Sequence, residues 1–348
     1  MPLRLVTQDG TRFRFSDYEL PPLKPQELRV NVQFAALKHG TESHAIGGSA
    51  FDTKQWDPEL RMFIPRAGDE PLPPRSAERS IGNIVVGTVV EVGSAAERFS
   101  IGDEVFGYGP VCEVHQAPEH QWHLLGDMSP ENAVCTDPAH VAFVAVRDGN
   151  IRIGDDVAVY GLGAIGLLTV QIARAAGARR VIAVDPVALR REFALSHGAD
   201  MALDPTSGDV ALQIKRATDN SGVDVAIETS GSGRALHEAI RCIRQCGTIV
   251  HVPWGPKDAS PLHLDEEFHL NRPTIVGSQA VWDNPDRSHP LWTEQRARDV
   301  ATHLLRSGLI TGQGIVMPII TFAEAPEALA DVFAQPQHSI KVGVTFRE

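Results

Sequence analysis

Short runs of alternating apolar and polar residues fill the chain up to about residue 140, with Gly and Pro between them. Examples are "ELRVNVQFAAL", "IGNIVVGTVVEVG" and "GDEVFGYGP". An apolar residue at every second position suits a strand with one buried face, so these runs predict a compact β-rich domain. Residues 47–80 interrupt them with many prolines and charges. This composition predicts a long irregular segment, of the kind that often carries function.

From about residue 145 the pattern changes to apolar runs that alternate with helical stretches. The segment "DDVAVYGLGAIGLLTVQIARAAGARRVIAVDP" predicts a strand, a tight glycine turn, a helix and a second strand. Further short strands are predicted at "VDVAIETSG", "GTIVHVPWG" and "PTIVGSQ", with helical stretches such as "GRALHEAIRCIRQC" between them. Strands that alternate with helices predict a doubly wound parallel sheet, so the fold class is α/β.

Length and charge limit the classes of function. A chain of 348 residues suits two domains. The net charge of -12, without a run of Lys or Arg, argues against nucleic-acid partners and anionic membranes. No signal-peptide core and no stretch long enough to span a bilayer is evident, so we expect a cytoplasmic protein. The four cysteines lack the paired spacing of a structural zinc site, and we expect reduced, buried thiols.

The strongest local signal is the G-x-G-x-x-G run that follows the strand "VAVY" and opens a helix. Its glycines permit a tight turn, close approach of a pyrophosphate and close packing of helix on strand. The first-turn N–H groups of the helix would hold the phosphates. Asp185 follows the next strand, about twenty residues further on, where a carboxylate accepts the ribose 2'-hydroxyl of NAD and repels the 2'-phosphate of NADP. The predicted cofactor-binding residues are Gly161, Gly163, Ala164, Ile165, Gly166, Asp185 and Arg190, the last lying over the adenosine ribose.

Taken together, "HGTESH", "GNIVVGTVVEVG", "IGDEVFG", "GLGAIG", "GVDVAIETSG" and "NRPTIVGS" resemble the medium-chain dehydrogenase/reductase superfamily, in particular its zinc-type alcohol and polyol dehydrogenases. The resemblance implies a GroES-like catalytic domain over residues 1–144 and 282–348, and a Rossmann domain over residues 145–281. It also implies hydride transfer between NAD and a small-molecule alcohol or ketone, and a homodimer or homotetramer. Polyols, sugars and cyclitols are the substrate classes that it favours.

The sequence departs from the zinc-type pattern at the metal ligands. Where the family has Cys-x-Thr/Ser-Asp-x-His, this chain reads His39, Thr41, Glu42 and His44. The Gly-His-Glu motif reads Gly-Asn83-Ile, and the third ligand falls near Asp137. The lobe with four cysteines is absent. Since asparagine is a poor zinc ligand and isoleucine is none, we predict a site without metal; if zinc is bound, His39 and Asp137 are its expected ligands.

Without a metal, an imidazole can exchange the hydroxyl proton of the substrate directly. We therefore predict His39 as the general acid/base and Asp137 as the carboxylate that orients it. Thr41 and Asn83 would contact the substrate, and His44 would pass the proton to solvent. An interior histidine in a vestigial site, and a helix N-cap at Asp137, are the structural alternatives.

Three other functions compete with this hypothesis. They are a zinc dehydrogenase with substituted ligands, a metal-free quinone or enoyl reductase, and a dinucleotide-binding protein without catalysis. Further residues are candidates for the substrate pocket or for ordinary packing, namely Trp56, Arg61, Phe63, Trp254 and Trp282.

Overall fold

The computed structural model describes residues 1–8, 10–38, 54–65, 78–255, 258–280 and 292–347. The chain forms two compact units: Met1–Val134 with Val316–Glu348, and Cys135–Ile315. No helix within the described ranges is long and apolar enough to cross a membrane.

The first unit is rich in β-structure. Its strands are β1 (Leu3–Thr7), β2 (Phe13–Asp17), β3 (Glu27–Ala36), β4 (Lys54–Asp57), β5 (Met62–Pro65), β6 (Arg79–Ser80), β7 (Ile84–Val92), β8 (Glu104–Tyr108), β9 (Val114–Pro118), β10 (Trp122–Leu124), β17 (Val316–Thr321) and β18 (Lys341–Thr345). Its helices are α1 (Pro130–Val134) and α9 (Ala325–Ala334), and short 3-10 helices span Glu119–Gln121 and Pro336–His338.

A seven-stranded sheet dominates this unit, in the order β10-β8-β7-β3-β18-β17, with β9 also paired to β3. The order β2-β1-β6 gives a smaller sheet of three strands. Strand β3 buries Leu28, Val30 and Val32 on one face, as the alternating pattern predicts. These side chains pack with Trp122 and Val342 in the core of the unit. Burial of each aliphatic side chain contributes about 1.5–3 kcal/mol, so the period of two decides which face is inside.

The second unit contains a six-stranded parallel sheet in the order β13-β12-β11-β14-β15-β16. Its strands are β11 (Asp156–Tyr160), β12 (Arg180–Val184), β13 (Met201–Leu203), β14 (Val223–Glu228), β15 (Ile243–His251) and β16 (Thr274–Gly277). Its helices are α2 (Thr136–Asp148), α3 (Ala164–Ala175), α4 (Ala188–Ser196), α5 (Val210–Ala217), α6 (Gly233–Cys242), α7 (Glu267–Asn271) and α8 (Glu294–Arg306). The strand order runs one way from β11 to β13 and the other way from β14 to β16. In such sheets, ligands bind at the carboxyl ends of the strands where the order reverses.

The boundaries between the two compact units differ from the domain boundaries that the sequence pattern predicts. Helix α2 packs on α3 and α8, and all three belong to the second unit. The apolar face of α2 is therefore buried in that unit, although the helix precedes the first parallel strand. The prediction that residues 1–144 and 282–348 form the catalytic domain concerns function as well as packing, and it stays a prediction.

The structure corrects three local predictions. Residues 54–65, expected to be irregular, contain the antiparallel pair β4 and β5, in which Trp56 faces Phe63 with ring centroids 5.2 Å apart. The sequence predicts a helix that continues to Cys246. In the structure this helix ends at Cys242, and the chain continues as β15. Cys246 is exposed, whereas the other three cysteines are buried as predicted.

Candidate functional site

The glycine turn between β11 and α3 is built as its spacing predicts. Gly161 has a φ of +84°, and a Cβ there would lie 2.7 Å from the backbone N of Ser230. A Cβ on Gly166 would lie 1.8 Å from the carbonyl oxygen of Gly161. Only glycine permits this backbone conformation and this approach of helix to strand at low cost. Contacts with the protein's own backbone therefore require glycine at both positions.

Gly163 differs from its two neighbours in the motif. It is the N-cap of α3, and a Cβ built on it meets no heavy atom within 4 Å. The space in front of Gly163 is therefore open, beside the first-turn residues Ala164 and Ile165, whose N–H groups have no partner inside the helix. An open face and unpaired helix N–H groups are what a pyrophosphate group requires, so the turn fits a dinucleotide.

Asp185 follows β12 and is 4% exposed. Its Oδ2 accepts a hydrogen bond from Leu162 N at 2.7 Å, and its Oδ1 accepts one from Val187 N at 2.8 Å. These bonds fix the carboxylate beside the glycine turn. A carboxylate has about four acceptor positions, so it keeps capacity for the hydroxyl groups of a ribose. The geometry suits the predicted role of Asp185.

Arginines surround this carboxylate. Arg190 Nη1 lies 3.9 Å from Asp185 Oδ2, and Arg191 donates to the backbone oxygen of Asp185 at 2.7 Å. Arg191 also pairs with Asp204 at 3.2 Å. The Arg190 side chain is thus held near Asp185, where the sequence predicts it.

Most of the predicted catalytic residues, His39, Thr41 and His44, lie outside the described residues, as do Glu42 and Trp282. Asn83 is described and buried in the first unit, just before β7. Its backbone N–H donates to Ala36 O at 2.9 Å, and its own carbonyl accepts from Gly109 N at 3.1 Å. Asn83 is thereby tied to the end of β3, the strand that leads to His39.

Asp137 is buried in the first turn of α2, in the second unit. The N-cap of this helix is Cys135, and no side chain caps it. The alternative that Asp137 is the helix N-cap is therefore wrong. His140, one turn further along, is also buried, and burial together with Arg298 lowers its pKa to about 4. At neutral pH this imidazole is uncharged.

The described residues contain no group of three or more His, Cys, Asp or Glu side chains placed to hold a metal ion. Of the two residues expected to bind zinc, Asp137 belongs to the described part of the chain and His39 lies outside it.

Sequence reasoning missed Lys341 on β18, a lysine that is 3% exposed. Its Nζ donates to the carbonyl of Leu37 at 2.9 Å, and Leu37 N donates to Val342 O at 3.1 Å. The peptide groups on both sides of Leu37 are thus fixed, two residues before His39. No local pattern signals this contact, because the partners are 304 residues apart.

Comparison with known proteins identifies the family. The zinc-binding dehydrogenase family matches residues 164–287. The D-guloside 3-dehydrogenase of Escherichia coli (strain K12) is 39% identical over 336 residues, which cover 95% of this chain and 96% of that protein. The (R,R)-butanediol dehydrogenase of Bacillus subtilis (strain 168) is 29% identical over 275 residues, which cover 71% and 75%.

The fold is shared more widely than the sequence. The crystal structure of 2R,3R-butanediol dehydrogenase from Bacillus subtilis has a TM-score of 0.77 to this chain at 23% identity, with 100% of both chains covered. This likeness confirms the predicted fold class. The chain is an oxidoreductase of the alcohol dehydrogenase type and belongs to the medium-chain, zinc-type alcohol and polyol dehydrogenase family.

Proposed function

We propose that the protein is an NAD-dependent dehydrogenase that oxidises a secondary hydroxyl group on the ring of a glycoside, or reduces the matching ketone. The observation that carries the proposal is the carboxylate of Asp185, held beside the glycine turn by Leu162 N at 2.7 Å. A fixed negative charge there favours the ribose 2'-hydroxyl of NAD over a 2'-phosphate. The name of the Escherichia coli relative, 39% identical, supports a glycoside whose 3-hydroxyl is oxidised.

Replacing Asp185 with asparagine tests the choice of cofactor. The substitution keeps the shape of the side chain and removes its charge. Because hydrogen bonds to charged groups contribute about 1.5–3 kcal/mol, we expect the affinity for NAD to fall by about tenfold or more. The repulsion of NADP should fall at the same time, and titration of both cofactors measures the two effects. The control is Asp204→Asn, which alters a carboxylate paired with Arg191. An unchanged preference in Asp185→Asn would contradict the assignment.

The residues predicted for catalysis would move the proton. Oxidation takes a hydride, with its electron pair, from the carbinol carbon and a proton from its hydroxyl group, and leaves a ketone. Bound NAD supplies the hydride acceptor. We assign the proton to His39 as general base and its orientation to Asp137, with Thr41 and Asn83 as substrate contacts and His44 as the route to solvent.

Metal content separates this mechanism from the nearest rival, a zinc dehydrogenase with substituted ligands. Mass spectrometry of active protein, purified without chelator or histidine tag, gives the zinc content of each subunit. Little metal in an active preparation supports His39 as acid/base. Near-stoichiometric zinc would make His39 and Asp137 ligands instead.

Turnover with a substrate panel tests the activity itself. Purified protein is mixed with NAD and with glycosides of gulose, glucose and galactose, a cyclitol and an acyclic polyol. Near-ultraviolet absorbance reports the reduced cofactor, and mass spectrometry identifies a product that has lost two hydrogen atoms. We expect the glycosides to react fastest. Reduction of quinones or enones with NADPH alone would support the reductase alternative. Binding of NAD without any turnover would support a non-catalytic protein.

We also propose a homo-oligomer, because β16 ends the parallel sheet of the described residues with an exposed edge. Ile275 in this strand is 39% exposed. Open strand edges of this kind are usually paired or covered, and a second copy of the chain offers a matching strand. Light scattering measures the mass in solution, and a monomer would contradict the proposal.

A further inference from the structure

Two ionisable side chains meet at the carboxyl edge of the parallel sheet. Glu228 ends β14 and His251 ends β15, and the two are partners in the register of these strands. Oε2 of Glu228 lies 3.0 Å from Nδ1 of His251. Glu228 is fully buried, whereas the His251 side chain is 24% exposed. His251 is therefore the member of the pair whose side chain reaches solvent, through the part of the ring away from Nδ1.

The other oxygen of Glu228 is saturated with donors. Oε1 accepts from Ser230 N at 2.6 Å, from Ser230 Oγ at 2.5 Å and from Gly231 N at 2.8 Å. An ionised carboxylate only accepts hydrogen bonds, so three donors on one oxygen suit the charged form. The pair thus combines a buried carboxylate with a partly exposed imidazole.

The Glu228–His251 pair lies on the β14 side of the glycine turn, opposite the side of β12. Thr229, directly after Glu228, donates through Oγ1 to Gly161 O at 2.7 Å. In the sheet, β11 stands between β14 and β12, the strand that Asp185 follows. A dinucleotide with its adenosine ribose at Asp185 crosses the point where strand order reverses and places its nicotinamide half over β14 and β15. Glu228 and His251 are therefore at the nicotinamide end of the site.

The nicotinamide ring carries a positive charge when oxidised and none when reduced. With His251 neutral, the carboxylate of Glu228 favours the oxidised ring. A proton on His251 cancels that charge, and the advantage of the oxidised ring disappears. Charges in a partly buried site are weakly screened, so the difference is measurable.

We propose that Glu228 and His251 set the preference of this site between oxidised and reduced cofactor, and that protonation of His251 shifts the preference towards the reduced form. The inference rests on the proposed function in one respect, the nicotinamide dinucleotide as cofactor. It concerns a positioning pair rather than catalytic residues.

The elements packed against β14 and β15 carry other ionisable groups. Arg241 of α6 bonds Glu238 at 2.9 Å and lies 3.6 Å from Glu267 of α7. Asp224 and Arg244 pair at 2.8 Å at the opposite, amino end of the two strands. Lys215 donates through Nζ to Ile243 O of β15 at 2.7 Å. Further ionisable side chains on or beside the two helices include Arg234, His237, His263 and His269. The ring centroids of His237 and His263 lie 5.1 Å apart.

Dissociation constants for NAD and NADH, measured by titration from about pH 5 to pH 8, test the proposal. In the wild type we expect the ratio of the constant for NAD to that for NADH to rise about fivefold or more as the pH falls. His251→Gln should abolish the rise and keep the ratio found at high pH. Glu228→Gln should raise the ratio throughout. The control His263→Gln alters an exposed histidine of the same unit and should reproduce the wild type.

A second readout follows the protonation of His251 directly, first without cofactor and then with NAD or NADH added. The imidazole signal that is absent from the NMR spectrum of His251→Gln identifies His251 in the wild type. Since coupling is reciprocal, NAD should move the titration midpoint of this signal to lower pH than NADH does.

The outcomes distinguish failure of this inference from failure of the proposed function. A ratio that does not depend on pH in the wild type, or that His251→Gln leaves dependent on pH, overturns the inference while cofactor binding stands. Failure of both cofactors to bind overturns the proposed function as well. Because Glu228 is buried, Glu228→Gln is the variant at risk of misfolding, and His251→Gln then decides the question alone.

Discussion

Replacing Gly163 with alanine is expected to weaken dinucleotide binding strongly and leave the fold stable. The added Cβ meets no protein atom within 4 Å, so it occupies the space that the pyrophosphate needs. Overpacking of this kind costs about 1–3 kcal/mol, which corresponds to roughly a 5- to 150-fold loss of affinity. The change of N-cap from Gly to Ala should alter the free energy of unfolding by less than about 1 kcal/mol. Cofactor titration and thermal unfolding measure the two quantities.

Gly166→Ala is the matched control, since it adds the same methyl group three residues away. Its Cβ would lie 1.8 Å from Gly161 O, a backbone atom that cannot move alone. We expect this variant to lose about 3 kcal/mol of stability or more. Normal NAD binding by Gly163→Ala would show that the cofactor does not approach the turn. A stable Gly166→Ala would show that α3 packs less closely on β11 than the structure has it.

Replacing His39 with alanine is expected to reduce turnover by about 10²- to 10⁴-fold, the range that general acid–base catalysis supplies. NAD affinity should not change, because His39 is not among the residues predicted to bind the cofactor, all of which belong to the second unit. Steady-state kinetics and cofactor titration on the same preparation measure both effects. His120→Ala, at an exposed histidine on a 3-10 helix of the first unit, is the control.

Two outcomes would contradict the assignment of His39. Turnover that survives the substitution would remove it from the chemistry. Loss of bound zinc together with turnover would make it a metal ligand. Partial rescue by added imidazole, without added metal, would support its role as acid/base.

The sequence predicted the parts of the molecule that depend on near neighbours. The glycine turn, α3 and the strand before Asp185 form one continuous βαβ segment, whose spacing is set by the geometry of a single unit. The fold class follows from the change of apolar period near residue 145 and is confirmed. The assignments of His39, Asn83 and Asp137 to catalysis stay predictions.

Tertiary packing overruled local pattern at identifiable residues. The stretch after Cys242 has a helical pattern, but pairing with β14 and β16 makes it β15. Strand propensity depends on such neighbours more than helix propensity does, and no window of sequence contains them. Similarly, Trp56 and Phe63 face each other only because β4 and β5 pair.

By itself, the sequence determined the class of fold, the glycine turn and the position of Asp185 after the second strand, because each is encoded within a few consecutive elements. Only the tertiary structure decided that His251 meets Glu228 and that Lys341 holds Leu37. Both contacts depend on the register between strands that are distant in sequence. Register is fixed by the burial of whole sheet faces, which no single segment of the chain specifies.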